Sequence, residues 1–502
     1  ATVLAETFPN HEGLLCAVSL VLSVVLGAVV FAWTKATDHP TKSAHEEDDD
    51  ENGVRTIKHL HSWIPYIGSA LQLQSGLVRD FILSASSRLG NAPLFTATIM
   101  GDTCLFIADP RYLHFIFRES AVIDGLTLQK KFMNKVMGFS HQETRAMFTQ
   151  TIDTQKAIMQ LFHRHLLKDA SLSLLLQEAQ QVMDSQLHRH QQQTSTSLQK
   201  PAQLFEFVSS VIFAAAAGPL LSRTLTKQDS QQRQLANLRA FEKDVGLLMV
   251  GAPPLLARSC IQARDALEAV FNSQEVRATE SDFLRQRRAI ISQGYEKNGT
   301  LQRIADTAIA RANLGIFLAS VGNSIQAIFW TLLHLLKNEE AWHACRESVL
   351  KIAARRETGR GSFTLQELDD MVLLQSAFLE SLRMYQVLFV TRHAVKDFVL
   401  KPTTVGSNDA KAAAPSYRVK KGTLIFAFPN VMHMDSQHFS DPESFQYDRF
   451  VDKSSNPVKL VNLQSLRPFG GGAHFCPGRK FVSYEVRAFL AMLLLDYPVR
   501  LV

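Results

Sequence analysis

Phe469-Gly470-Gly471-Gly472-Ala473-His474-Phe475-Cys476-Pro477-Gly478-Arg479 sets a glycine run and a single cysteine just ahead of the apolar residues Phe481, Val482, Val486, Phe489 and Leu490. Glycines without Cβ atoms let the backbone approach a flat ligand closely. Main-chain N–H groups turned toward the sulfur favour its thiolate form. Pro477 fixes the local backbone, and the apolar run after it reads as a buried helix starting near the cysteine, where the helix amino terminus favours negative charge. The same residues also read as a glycine-rich turn around a buried structural cysteine.

The other cysteines, Cys16, Cys104, Cys260 and Cys345, are widely spread, and the odd total of 5 argues against a disulfide framework or a paired-cysteine zinc site. The chain has 502 residues, 46% hydrophobic and 20% charged, which is a globular composition with material for a large core. Lys and Arg number 53 against 47 Asp and Glu, and the net charge of +6 is too small at this length to point to nucleic acid. It is compatible with docking an acidic protein partner.

At the amino-terminal side, Leu14–Trp33 (LLCAVSLVLSVVLGAVVFAW) is an uncharged run of about 20 residues, the length that spans a hydrocarbon core of about 30 Å. It is longer than a signal-peptide apolar region, and the flank before it carries Glu6 and Glu12. Lys35 and Lys42 follow the run and no Lys or Arg precedes it, which places the bulk of the chain in the cytosol. Glu46–Glu51 reads as a solvated acidic linker. Residues 1–35 are thus expected as a membrane anchor, 36–60 as a linker and 61–502 as one folded body. In the cytosol its thiols stay reduced, and the Asn298-Gly299-Thr300 sequon never meets the glycosylation machinery.

Helices dominate that body, with small sheets near both ends. Leu77–Leu89 has helical periodicity, and Leu94–Ile99 and Thr103–Ile107 flank a Met100-Gly101-Asp102 turn as a hairpin. Asp109-Pro110 closes the second strand and opens a helix. Long helical patterns run from 140 to 336, interrupted by polar stretches read as loops at Gln191–Lys200 and Thr226–Gln234. A helix over Asn338–Arg355 places Glu339 and Glu340 at its start and Lys351 and Arg355 at its end, which suits the helix dipole. Thr403–Ser416 reads as a low-complexity surface insertion.

The cysteine loop matches F-x-x-G-x-x-x-C-x-G through Phe469, Gly472, Cys476 and Gly478. Upstream, Glu380-Ser381-Leu382-Arg383 is an E-x-x-R whose spacing puts both charges on one helix face. Phe445-Gln446-Tyr447-Asp448-Arg449-Phe450 follows at a family-like distance. By these motifs, in this order, the chain resembles the cytochrome P-450 (haem-thiolate) superfamily from Trp63 to its carboxyl end. The resemblance implies a mainly α fold with small β-sheets, preceded here by one transmembrane helix. It implies haem b with Cys476 as axial iron ligand, Phe469, Gly472, His474 and Arg392 as further cofactor contacts, and a buried network of Glu380, Arg383 and Arg449. His474 stands where many members carry Arg. The family's usual W-x-x-x-R helix is not visible; His163-Arg164-His165 reads either as its substitute or as a solvated basic turn.

Ile316–Trp330 aligns with the helix that crosses the haem in that superfamily. It places Asn323 at the position of the acid, and Ser324 at that of the alcohol, of the pair that delivers protons to dioxygen. Asn323 and the later Phe329-Trp330 resemble the sterol 7α-/12α-hydroxylase and prostacyclin synthase group. Ser324 keeps an alcohol and favours a monooxygenase acting on a sterol, oxysterol or related lipid; Phe389-Val390-Thr391-Arg392 resembles the synthase branch, whose members rearrange a lipid endoperoxide. A non-catalytic haem- or lipid-binding membrane protein is the third reading. Val387, Leu388, Phe389, Ile316, Phe317 and Ala319 read as pocket lining or as ordinary core. The implied setting is the endoplasmic reticulum membrane, single-pass, with the catalytic domain cytosolic and an NADPH-dependent cytochrome reductase as electron donor.

Overall fold

The computed structural model describes residues 53–499 apart from 63, 65, 75–77, 120, 149–151, 197–202, 250, 298–301, 357–360, 387–388, 404–413, 456, 462–464, 473–474 and 498. The expected anchor, most of the linker, the Asn298 sequon, Val387, Leu388, His474 and most of the Thr403–Ser416 insertion lie outside the described residues. The chain forms two compact units: residues up to Asp124 with Thr391–Ala427, and Gly125–Val390 with Phe428–Val502.

The first unit holds the sheets. Its strands are β1 (Val54–Arg55), β2 (Lys58–Leu60), β3 (Leu94–Ile99), β4 (Asp102–Ile107), β5 (Ile123–Asp124), β6 (Val390–Ala394), β7 (Phe398–Leu400), β8 (Ser416–Val419) and β9 (Leu424–Ala427). They make a six-stranded sheet in the order β2-β3-β4-β9-β6-β5 and a three-stranded sheet in the order β1-β8-β7. The expected hairpin is β3–β4, with Leu94 opposite Ile107 and Ile99 opposite Asp102. Met100 (φ 48°) and Gly101 (φ 81°) turn it, the two positive φ values whose twist matches the flanking strands. β3 also pairs with β2, and β4 with β9, both in parallel.

That hairpin builds the unit's core from one cross-strand pair. Phe95 stacks on Phe106 at 5.3 Å, Phe106 stacks on Phe426 at 5.6 Å, and Phe81 meets Phe106 edge-on at 5.5 Å. Phe81 comes from α1 (Val78–Arg88), the helix expected over Leu77–Leu89. Arg111 and the Asp109 carboxylate close the short turn that follows β4, with Pro110 at its first position.

The second unit is helical. In chain order we label α2 (His141–Phe148), α3 (Asp169–Thr196), α4 (Leu204–Leu220), α5 (Gln228–Met249), α6 (Arg258–Asn272), α7 (Asp282–Lys297), α8 (Gln302–Phe317), α9 (Asn323–Lys337), α10 (Glu339–Ala353), α11 (Val372–Tyr385) and α12 (Arg479–Asp496). The two polar stretches read as loops are largely helix: α3 runs on to Thr196 and α5 begins at Gln228. Gln, Lys and Arg are good helix formers, so a polar run without Gly or Pro can be a solvated helix. The Asn338 carboxamide caps α10, accepting from Ala341 N at 2.9 Å.

α4 is apolar on all sides and packs against α3 and α9. Ile304–Lys337 forms one continuous helix, long and apolar enough to cross a membrane by length and composition, where the sequence reading credited only Leu14–Trp33. Its residues Phe317, Val321, Ile325, Ile328, Leu332 and Leu335 are buried in the unit's core, and Arg311 on it pairs with Glu143 and Glu268 from α2 and α6. It is the core helix of a folded unit. The fold is therefore mainly α with small sheets, as expected.

Phe106 is fully buried among three other rings. Phe106→Ala should leave a cavity there and cost about 3–5 kcal/mol, read as a lowered urea midpoint at unchanged slope.

Candidate functional site

The cysteine loop is tied to itself before it is tied to anything else. Cys476 N donates to Phe469 O at 3.0 Å, and Gly470 N donates to Arg467 O at 3.2 Å. Gly470 (φ 76°) and Gly472 (φ 65°) take left-handed backbone, which coils the segment into a tight arch. Arg479 opens α12, donates Nη1 to Cys476 O at 2.9 Å and lies over the Phe475 ring at 4.3 Å.

Among the described thiols only Cys476 receives main-chain N–H groups at its sulfur. Burial pushes its pKa up, while the N–H groups of Gly478 and Arg479 and the Arg479 charge pull it down. Cys104 and Cys260 instead donate their S–H to Asp102 O and Phe241 O, and burial holds Cys345 up to about 12. Those three are structural thiols. Cys476 is half-buried at the mouth of a helix and aimed at by donors, the setting of a thiolate ligand.

Behind the loop lies a charge cluster. Arg383 grips the Glu380 carboxylate with Nε at 2.8 Å and Nη2 at 2.9 Å, and Arg449 Nε reaches both of its oxygens at 2.9 and 3.0 Å. Gln446 N adds a further donor to Glu380 at 3.1 Å. Two guanidiniums on one carboxylate leave an excess positive charge, and carbonyl oxygens take it up. Arg383 Nη1 donates to His433 O, and Arg449 donates to Ser440 O, Asp441 O and Ser444 O. Glu380 and Arg383 are fully buried.

The cluster reaches the loop through a residue that sequence reading missed. His433 Nε2 accepts from Arg467 N at 3.0 Å, the residue where the cysteine arch begins. Burial and the Arg383 charge push His433 down to about 3, so it stays neutral and its Nε2 remains an acceptor. His433 is distant in sequence from both partners and sits in no motif, so no local signal announces it.

On the core helix, the turn Leu318–Gly322 between α8 and α9 is π-helical. Such a turn inserts a residue and shifts the phase of everything after it. Asn323 faces solvent-accessible space, with Nδ2 donating back to Ala319 O at 3.1 Å, whereas Ser324 is buried. The two residues expected to work side by side thus point to different faces, as neighbours about 100° apart on a helix do. Ser324 has the Glu485 carboxyl of α12 as its electrostatic neighbour, although no hydrogen bond of good geometry reaches either Glu485 oxygen.

A family model described as Cytochrome P450 matches residues 59–502. The chain is a cytochrome P450. It is similar to "Cytochrome P450 7A1" of Oryctolagus cuniculus, 28% identical over 459 residues covering 88% of this chain and 86% of that protein. It is 25% identical to "25-hydroxycholesterol 7-alpha-hydroxylase" of Rattus norvegicus over 66% of this chain and 78% of that protein. "Abscisic acid 8'-hydroxylase 3" of Oryza sativa subsp. indica is 24% identical over 95% of this chain and 88% of that protein.

Like its family, this P450 binds haem through a cysteine thiolate on the iron. The donor set fits a single-thiolate group. One sulfur is prepared by two N–H groups, and no cluster of three or more metal-ligating side chains exists among the described residues. Phe469 is half-buried and tilted against Phe378 of α11 at 6.5 Å, and Gly472 is exposed. Arg392 lies in the first unit on β6, buried, with Nη1 donating to Thr391 O at 2.9 Å; burial lowers its pKa and Asp124 raises it. Phe317 is core, and Phe389 lies against Phe428 at 5.2 Å. Arg164 donates to Gln286 at 3.1 Å and His165 lies 3.9 Å from Asp282, so that basic turn packs on α7.

Removing one member of the Glu380 cluster leaves buried charge unpaired. Glu380→Ala should cost about 3–5 kcal/mol, seen as loss of folded holoprotein, while a surface pair such as Glu347–Lys351 should be removable at little cost.

Glu485 gives a pH signature. Burial raises its pKa from the usual 4.5 to about 8. Below 4.5 folded and unfolded chains both hold the proton; between 4.5 and 8 only the folded chain holds it fully. Its contribution to stability is therefore complete in acid and is lost as pH rises through that window, with a slope of about 1 kcal/mol per pH unit. Glu485→Gln should flatten this part of the profile in urea unfolding across neutral pH; an unchanged slope would count against the assignment.

Proposed function

We propose that the protein is a membrane-bound haem-thiolate monooxygenase hydroxylating a sterol, oxysterol or related lipid, with dioxygen and electrons from an NADPH-dependent reductase. The observation that carries the haem chemistry is the Cys476 sulfur receiving the N–H groups of Gly478 and Arg479, unlike the other described thiols. Similarity to proteins named cholesterol 7-alpha-monooxygenase and 25-hydroxycholesterol 7-alpha-hydroxylase supports the substrate class.

In this reading Cys476 is the axial ligand, with Phe469, Gly472, His474 and Arg392 as further cofactor contacts. Glu380, Arg383 and Arg449 hold the loop's foundation rigid, through His433 and Arg467. When bound, haem supplies the oxidising chemistry. The chain's own residues do the rest: N–H groups favour the anionic form of the sulfur, Asn323 offers a polar amide to the reacting side, and Ser324 braces the helix from behind. Residues 1–35 anchor the protein in the endoplasmic reticulum membrane, 36–60 link, and 61–502 form the cytosolic catalytic body.

One observation favours a second reading. With Ser324 turned inward, the face that carries Asn323 lacks that hydroxyl. A thiolate haem rearranging a lipid endoperoxide needs no external electrons and no such alcohol.

Reduced holoprotein under carbon monoxide should show the absorption band of thiolate ligation, and Cys476→Ala should lose it. A sterol product one oxygen heavier, formed only with NADPH, reductase and dioxygen, supports the monooxygenase. Conversion of an endoperoxide by the protein alone supports the isomerase instead.

A further inference from the structure

Oxygen reduction consumes protons, and the core helix has no acid of its own near Asn323: no Asp or Glu occurs between Asp306 and Glu339. The resemblance assigned the acid's position to Asn323, an amide that cannot give up a proton at neutral pH. A carboxyl from another helix stands close by. Glu242, on α5, lies so near Gly322 that a Cβ built on that glycine would come 2.6 Å from Glu242 Oε1. Only a residue without a side chain leaves room for the carboxyl there, one position before Asn323 and at the end of the π turn.

Three further features suit this carboxyl to proton traffic. Among the described residues no hydrogen bond or ion pair holds it; its nearest cation, Arg239, is paired with Glu206. Its side chain is open to solvent-accessible space, so it can be recharged from water. Its carboxyl end nonetheless lies among protein atoms, and that burial raises its pKa above the usual carboxylate value, against the pull of Arg239. Glu485, the other raised carboxyl near this helix, is fully buried on the Ser324 side and has no such access.

We infer that Glu242 is the proton donor of the reacting side, delivered across Gly322 from α5 to the face that carries Asn323. The Glu242 O–H bond breaks and its proton forms a new O–H bond on a dioxygen oxygen that has taken its electrons from the reductase. The carboxylate is then reprotonated from water. Asn323 Nδ2 is committed to Ala319 O, which leaves its carbonyl oxygen to orient the proton's path.

This inference rests on the monooxygenase reading, and two variants test it from opposite sides. Glu242→Gln keeps size and removes the proton. Gly322→Ala keeps the carboxyl and displaces it by steric contact; Ala favours helix over Gly, so folding should not suffer. Both should lower sterol product by about 10²-fold, with NADPH consumption diverted to hydrogen peroxide and sterol affinity unchanged. In resting holoprotein, the infrared difference spectrum recorded across a pH titration should lose one carboxyl band in Glu242→Gln and show it shifted in Gly322→Ala. Adding Gly322→Asp to Glu242→Ala, which clears the space beside residue 322, should restore coupling by returning an acid to the same place. Wild-type product with unchanged coupling in Glu242→Gln would overturn the inference alone, as would lost sterol affinity with intact coupling. Absence of any reductase-dependent product in the wild type would instead overturn the underlying reading.

Discussion

One carboxylate, Glu380, is shared by two guanidiniums in a place with no water, and the thiolate side of the molecule is built outward from it. Removing three charges from water is costly, and such a cluster persists only when its geometry is complete. Here it is complete. Arg383 and Arg449 each present two hydrogen bonds to the carboxylate, and their remaining N–H groups find main-chain oxygens of residues 433, 440, 441 and 444. Three of those oxygens, on residues 440, 441 and 444, belong to a segment without regular structure, and the fourth ends the short helix Asn430–His433. The cluster thus does for irregular backbone what ladders do for strands. Through His433 it also fixes where Arg467 starts the arch that ends at Cys476.

The core helix solves a different problem: it must be buried on one side and chemically useful on the other. Phe317, Val321, Ile325 and Ile328 bury the first side. The π turn at Leu318–Gly322 resets the phase just before Asn323, so that the amide faces outward and the hydroxyl of Ser324 faces α12. The glycine at 322 lets the Glu242 carboxyl of α5 come close to this helix. Asn323 and Ser324, one residue apart, thus lie on two different faces of the helix.

What could be read from the sequence was local. The cysteine arch, the E-x-x-R spacing and the Met100-Gly101 hairpin are short-range patterns whose physics is contained in a dozen residues. Arg449 was readable because a motif surrounds it. His433, Glu485 and Glu242 were not, because each acts on a residue far away in sequence and belongs to no pattern. The π turn before Asn323 was not legible either, because regular 3.6-residue periodicity does not reveal one. The Ile304–Lys337 helix shows the limit of hydropathy, which measures how apolar a helix is but not whether lipid or protein covers it.

The sulfur itself ties these observations together. Burial pushes the Cys476 thiol up, as it does that of Cys345. Two N–H groups and a guanidinium offset part of that penalty without abolishing it. Burial and the donors thus act on the sulfur in opposite directions, and the donors favour the form that a thiolate ligand takes. The Glu380 cluster matters to that balance because, through Arg383 and His433, it ties down Arg467, where the arch that presents the donors begins.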